Sequence, residues 1–300
     1  MRRSADASNL NAMNATSDPL HECVELPDGM TLAARFFPPD ATPRGAILLP
    51  AAMGVTQRYY AEFAKWLAGQ GYLAATFDYR GMGLSAPTTL RSCRVDVGDW
   101  AQVDCKAMIE SLRARAPACK LFVVGHSLGA QIVGMIPNRQ AIDGVVMVAS
   151  GSGYWRTMAP PTKFAALWMW YVLVPLLTPV LGYFPGRLLR AVGDLPRGAV
   201  MQWRRWCLHP EYLLGAETEL RAAYADVRTP VLSLSFTDDE MMSAASTEAL
   251  HRFYANAPIT HMRLAPHDIG ARRIGHLGFF RREFSATLWP RVTQWLESRL

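Results

Sequence analysis

Lys120-Leu121-Phe122-Val123-Val124-Gly125-His126-Ser127-Leu128-Gly129-Ala130 runs from an apolar strand through a tight turn into a helix. Leu121 to Val124 have the length and character of a buried strand, and helical apolar spacing begins after Gly129. Between them, Gly125-His126-Ser127-Leu128-Gly129 has the G-x-S-x-G form of a nucleophile elbow. The spacing has a steric cause. A serine on a sharp, strained turn leaves little room for side chains two residues to either side, so glycines at 125 and 129 let strand and helix close up. The turn lifts the Ser127 hydroxyl clear of the sheet. It also leaves the next backbone N–H at a helix start, where partial positive charge gathers. A glycine-flanked serine that merely caps a helix is the plainer alternative, and the buried strand in front of it favours the elbow.

Outward from this stretch, strands alternate with helices. Upstream, Glu22–Leu26 and Thr31–Phe37 flank Pro27-Asp28-Gly29, a hairpin signal. Ala46–Leu49 is a short strand ending in Pro50-Ala51-Ala52-Met53-Gly54. Tyr60, Phe63, Ala64 and Leu67 mark an amphipathic helix, Tyr72–Phe77 a strand, and Cys105, Met108, Ile109 and Leu112 another helix face. Downstream, Gly144–Ala149 is one more buried strand. The alternation stops at Gly151 and resumes with Val231–Phe236, a helix from Ala244 to about Ala255, a strand at Thr260–Leu264 and a closing helix carrying Leu288, Val292, Trp295 and Leu296. This pattern predicts βαβ units and an α/β fold with a mostly parallel central sheet and helices on both faces. The domain division that follows is a core over 21–150 plus 226–300, interrupted by an insert over 151–225. A loose tail over 1–20, rich in Asn, Ser, Ala and Asp, precedes the core.

A nucleophilic serine needs a base, and the base needs an orienting acid. Behind an elbow the acid belongs at the end of a later strand and the histidine after the last one. Val231–Phe236 ends in Thr237-Asp238-Asp239-Glu240, and Thr260–Leu264 is followed by His267 and His276. Order and placement both fit a Ser-acid-His triad, with Asp238 or Asp239 as acid and either histidine as base.

Composition narrows the function. A chain of 300 residues, half of them hydrophobic, buries roughly three quarters of its unfolded surface and needs no staple. The net charge of +6 is carried almost entirely by scattered arginines, with no basic stripe and interleaved aromatics, so nucleic-acid binding is not expected. Five cysteines (Cys23, Cys93, Cys105, Cys119, Cys207) show no metal spacing and suggest reduced thiols in a cytoplasmic protein. Ser4 to Pro19 has no apolar core, so no signal peptide is expected. Gly81-Met82-Gly83-Leu84-Ser85-Ala86 imitates a dinucleotide fingerprint, but Pro87 and two threonines follow where a phosphate-binding helix should begin. It reads as a structural turn.

Leu48-Leu49-Pro50 through Gly54, Asp78-Tyr79-Arg80-Gly81-x-Gly83-x-Ser85, the elbow, and Gly275-His276-Leu277-Gly278 together resemble the successive landmarks of the α/β-hydrolase superfamily. The likeness spans residues 21–300 and is closest to bacterial "predicted α/β-hydrolase" proteins similar to esterases and lipases. The resemblance implies Ser127 as nucleophile and His276 as base. It favours Asp239 over Asp238 as acid, because Asp239-Glu240-Met241-Met242-Ser243 fits the family window. It also implies an oxyanion hole made by the Leu128 N–H and one from the Pro50–Gly54 loop. There this sequence departs from the common His-Gly. Its spacing is similar to the His-Ala-x-x-Gly of homoserine acyltransferases, which points to Ala52 with Met53 second. His126, beside the nucleophile, is two-sided, either packing or chemistry.

The insert is expected to be a helical cap. Phe164 to Gly186 contains no charged residue over 23 positions, long enough to span a bilayer. A single span would separate Ser127 from His276, and Pro175 and Pro179 would break the helix, so a cap is favoured over membrane contact. Five of nine tryptophans fall here, and Met53, Trp155, Trp168, Trp170 and Trp203 are candidates for lining a hydrophobic acyl or alkyl pocket. The expected activity is cleavage of a small-molecule carboxylic ester, with no metal or organic cofactor implied. An acyltransferase using the same triad and a non-catalytic binding protein on the same fold are the alternatives. Oligomeric state is left open.

Overall fold

The structure, a computed structural model, describes residues 19–189 and 192–300. The expected tail lies almost wholly outside them. Eight strands form one sheet: β1 (Leu20–Glu25), β2 (Thr31–Phe37), β3 (Gly45–Leu49), β4 (Tyr72–Phe77), β5 (Leu121–His126), β6 (Gly144–Val148), β7 (Val231–Phe236) and β8 (Ile259–Leu264). Their order is β1-β2-β4-β3-β5-β6-β7-β8. β1 and β2 pair antiparallel, as do β2 and β4, and every other pairing is parallel. β3 to β7 are buried along their whole length. β3 and β6 accordingly read as unbroken apolar runs, whereas β7 keeps Ser233 and Ser235 inside through hydrogen bonds with His251 and His261, each at 2.9 Å. The two edge strands, β1 and β8, expose polar residues instead.

The strand order fixes where the helices go. α1 (Ala61–Gly69) carries the chain from β3 outward to β4, whereas α2 (Lys106–Arg115) brings it back across β3 to β5. Right-handed crossovers in opposite directions put these helices on opposite faces. The short α3 (Leu128–Gln131) follows the elbow. Beyond the insert, α6 (Ala244–His251) and α7 (Trp289–Glu297) complete the core, and Trp289 meets Phe63 of α1 at 5.2 Å between rings. α6 ends four residues before the expected Ala255. The chain turns there so that Tyr254 buries under the elbow, its hydroxyl donating to the Ala130 carbonyl at 3.2 Å.

Between β6 and β7 lie helices and a two-residue hairpin, Tyr183–Phe184 with Leu195–Pro196. Two helices dominate, α4 (Thr162–Leu181) and α5 (Arg197–Leu208). The expectation that Pro175 and Pro179 break the helix is overturned. A π-turn at Met169–Leu173 precedes Pro175, the Trp170 carbonyl there accepts from Arg204 Nε at 2.6 Å, and Pro179 sits inside the last helical segment. The Gly81–Ser85 segment is the structural turn that its sequence suggests. Asp78 accepts the Gln57 and Leu84 backbone N–H groups at 2.7 and 2.9 Å, and Ser85 Oγ donates back to the Asp78 carbonyl at 2.6 Å.

Candidate active site

Ser127 sits between β5 and α3 with φ 49° and ψ −114°, a left-handed conformation that costs a non-glycine residue free energy. The surrounding backbone holds it there. The Ser127 N–H donates to Val148 O at 3.0 Å, the His126 N–H to Pro50 O at 3.2 Å, and Ser150 Oγ to the Ser127 carbonyl at 2.9 Å. The flanking glycines are sterically obligatory. A Cβ at Gly125 would lie 2.6 Å from the Ala130 nitrogen, and one at Gly129 would lie 2.2 Å from the Pro50 oxygen.

The loop after β7 and the loop after β8 deliver the other two groups. His276 Nε2 is 3.1 Å from Ser127 Oγ, and His276 Nδ1 is 3.0 and 3.1 Å from the two Asp239 oxygens. All three residues are buried. A carboxylate only accepts, so Nδ1 carries the proton and Nε2 is left to receive one from Ser127. Asp239 Oδ1 also accepts the Met241 and Met242 N–H groups, each at 2.8 Å. Its neighbours serve the same histidine. Asp238 Oδ2 accepts the Ile274 and Gly275 N–H groups at 2.8 and 3.0 Å, and Glu240 Oε2 accepts the His276 N–H at 3.2 Å. The structure thus brings Ser127, Asp239 and His276 together and leaves Asp238 as a loop tie. His267 is solvent-exposed and pairs with neighbouring Asp268.

His126 is fully buried and packs against His276 and Phe280, with ring centroids 5.3 and 5.0 Å away, and it also carries hydrogen bonds. Its Nε2 donates to the His276 carbonyl at 3.0 Å, so its Nδ1 accepts, from the Tyr60 hydroxyl at 2.9 Å. Tyr60 in turn accepts the Ala52 N–H at 2.8 Å. This chain corrects the assignment of Ala52 to the oxyanion hole, because its N–H is committed to Tyr60. Among the described residues neither the Met53 nor the Leu128 N–H has a protein acceptor, and both residues line the cavity beside Ser127. Sequence reasoning missed Tyr60. By periodicity it is only a helix-face residue, and its reach back to the loop depends on where the helix begins.

Burial, and then the neighbouring His276, pull His126 down to about 3, so it is neutral. Burial, and then His261, likewise lower His251 to about 4. Both depressed values have the same sign of linkage. The unfolded chain takes up protons near 6.5 and the folded one does not, so stability is full above that pH and falls as pH drops toward the folded values. We expect unfolding free energy from urea titration to decline below pH 6.5, with His126 alone contributing about 2 kcal/mol of loss by pH 5. A flat profile from pH 7 to 5 refutes the neutral, buried assignment.

A cavity of about 480 Å³ opens over Ser127. Met53, Met158, Met241 and Met242 line it with Trp203 and Leu277, an adaptable apolar wall. Of the five residues expected to line it, Met53 and Trp203 do and three tryptophans do not. Trp155 carries Arg156 and Lys163 over its ring, at 5.1 and 5.8 Å. Trp168 points to solvent, and Trp170 is buried edge-on against Trp203 at 4.8 Å. Of the methionines missed, Met241 and Met242 lie in the acid loop and Met158 in the insert, and nothing in their spacing marks which way they face. Among the described residues no cluster of His, Cys, Asp and Glu has the makings of a metal site.

Residues 41–268 match the family described as serine aminopeptidase, S33 (Hydrolase_4). The chain belongs to this family of α/β-hydrolases. Solved structures share its fold. A soluble variant of monoglyceride lipase from Saccharomyces cerevisiae, in complex with a substrate analog, is similar with TM-score 0.67 and 20% identity, over 95% of this chain and 96% of that one. A thermostable carboxyl esterase from Bacillus coagulans, in complex with glycerol, gives 0.61 and 11% over 95% and 99%. An esterase of Pyrococcus furiosus gives 0.60 and 14% over 100% and 96%. In this α/β-hydrolase the elbow, the acid loop and the histidine loop all lie at the carboxyl ends of parallel strands, where ligand sites of open α/β sheets are built.

Proposed function

We propose that this α/β-hydrolase is a serine esterase working through an acyl-enzyme. The observation that carries the reading is the unbroken contact from Asp239 through His276 to Ser127. His276 Nε2 takes the Ser127 proton as Oγ attacks the ester carbonyl, and Asp239 holds the imidazole in the tautomer that can do so. The oxyanion is received by the Leu128 and Met53 N–H groups, each such donor being worth about 3–4 kcal/mol in the transition state. The same imidazole then protonates the departing alcohol and later activates the water that releases the acid. The insert acts as a cap whose Trp203 and Met158 close an apolar acyl pocket with Met241 and Met242.

An ester suits the site better than the amino-terminal peptide named in the family description. An aminopeptidase needs an acceptor for the substrate ammonium. The carboxylate on the cavity outside the triad, Glu240, is occupied by Arg273 at 3.3 Å and by the His276 N–H. Acyl transfer remains the second reading, favoured by the acyltransferase-like spacing of the Pro50–Gly54 loop.

Labelling with a fluorophosphonate probe tests the nucleophile. Wild type should label and Ser127→Ala should not, and labelling of the variant at the wild-type rate overturns the assignment. A panel of p-nitrophenyl esters should favour medium acyl chains over acetyl. An added alcohol that captures the acyl group in preference to water would move the assignment to acyl transfer.

A further inference from the structure

The face of α4 that looks away from the protein has the wrong chemistry for water. Ala166, Trp170, Val174 and Thr178, spaced four apart, are buried. On the other side Phe164, Trp168, Tyr171, Leu176 and Val180 are each more than half exposed, and Leu188 beyond them is more exposed still. A surface helix ordinarily turns polar residues outward. Here both faces are apolar, the mean hydropathy is 1.8 over Thr162–Leu181, and only 22% of the helix is buried. Five of the ten large exposed hydrophobics in the described residues lie on this one helix. Such a patch marks an interaction surface.

Charge says what kind. Residues 152–210 hold seven Lys and Arg and one acid, Asp194. Since the whole chain carries 31 of the one and 25 of the other, the remainder is electrically balanced, and the net +6 is entirely the property of this segment. Cations stand at both ends of α4. Arg156 and Lys163 flank Trp155 near its start, and exposed Arg91 donates to the Val180 and Leu181 carbonyls at its end, at 3.2 and 3.1 Å. An apolar stripe with basic residues at its margins is the pattern of a helix lying in a lipid–water interface. A second copy of the chain would set this positive surface against itself. A transmembrane course is excluded by the buried stripe and by the Ser127–His276 contact.

We infer that α4 docks this protein onto an anionic lipid bilayer, its exposed apolar side chains entering the headgroup–acyl boundary. Trp170 meets Trp203, and Trp203 lines the cavity, so the docked helix stands one side-chain layer from the site. Docking does not depend on catalysis, and Ser127→Ala is expected to bind as wild type does.

The test is co-sedimentation with vesicles of phosphatidylcholine alone and of phosphatidylcholine mixed with phosphatidylglycerol, at low and high salt. Wild type should bind the anionic vesicles at least about tenfold more tightly than the neutral ones and lose that margin in high salt. Trp168→Ser combined with Leu176→Ser should weaken binding about tenfold or more, with turnover of a soluble p-nitrophenyl ester kept as proof of folding. No binding to either vesicle, or equal binding by wild type and the double variant, overturns the proposal. So does a wild-type dimer in solution that the same substitutions dissociate while vesicle binding is absent, since a second copy then covers the face.

Discussion

Asp239→Asn is expected to lower kcat about ten-thousand-fold, with KM within a few-fold of wild type. The size of the effect follows from how the carboxylate is held. Asp239 Oδ1 accepts two backbone N–H groups, from Met241 and Met242, so an asparagine must keep its carbonyl oxygen there. That leaves the amide nitrogen at the place of Oδ2, 3.0 Å from His276 Nδ1. An amide N–H facing Nδ1 turns it into an acceptor and moves the imidazole proton to Nε2, which then cannot receive one from Ser127. Asp238→Asn tests the alternative directly. Its one engaged oxygen accepts from Ile274 and Gly275, and an asparagine oxygen does the same. The loss there should be no more than about tenfold, of the order of one weakened charge-assisted hydrogen bond. Steady-state kinetics on both variants decide the matter, and a reversed ranking transfers the triad acid to Asp238.

Gly129→Ala is expected to damage fold and catalysis together. The added methyl would lie 2.2 Å from Pro50 O, 2.6 Å from Pro50 C and 2.9 Å from Ala51 O. All three neighbours are backbone, so no side chain can swing aside, and the strand β3 exit or the elbow has to move. Overpacking of this kind costs about 3 kcal/mol or more. The segment displaced is the one that carries the Met53 N–H, so kcat should fall at least about a hundredfold even in the molecules that remain folded. Chemical denaturation and kinetics on the same preparation separate the two losses. A variant with wild-type stability and rate would show that the loop and the elbow are not in contact.

How much of this was legible in the sequence differs from one element to the next, for physical reasons. β3 and β6 announce themselves because strands buried on both faces are apolar along their length, and in β4 and β7 only Thr76, Ser233 and Ser235 interrupt the same pattern. The elbow and the order of Ser127, Asp239 and His276 were readable because each of these residues follows a strand end, and strand ends are marked by abrupt changes of polarity. The proposed oxyanion donor was not. Whether Ala52 or Met53 presents a free N–H is decided by the Tyr60 hydroxyl, eight residues away, and pattern alone does not show a side chain reaching backward. The tryptophans of the insert failed for a different cause. Trp168 and Trp170, two residues apart, lie about 200° apart on the helix and so meet solvent and core respectively, but in a segment apolar on both sides nothing in the pattern says which side the core takes. The π-turn at Met169–Leu173 lets the helix pass through Pro175, where proline alone predicts a break.

Asp238, Asp239 and Glu240 are consecutive, yet each grips a different part of one three-residue segment, Ile274 to His276. The two loops are therefore a single cassette in chemical terms, although 37 residues of chain separate Asp239 from His276. Grafting either alone onto a related scaffold would strand amide hydrogens or carboxylates without mates. Recombination among homologues should accordingly succeed at crossovers that keep the pair together and fail at those that part it.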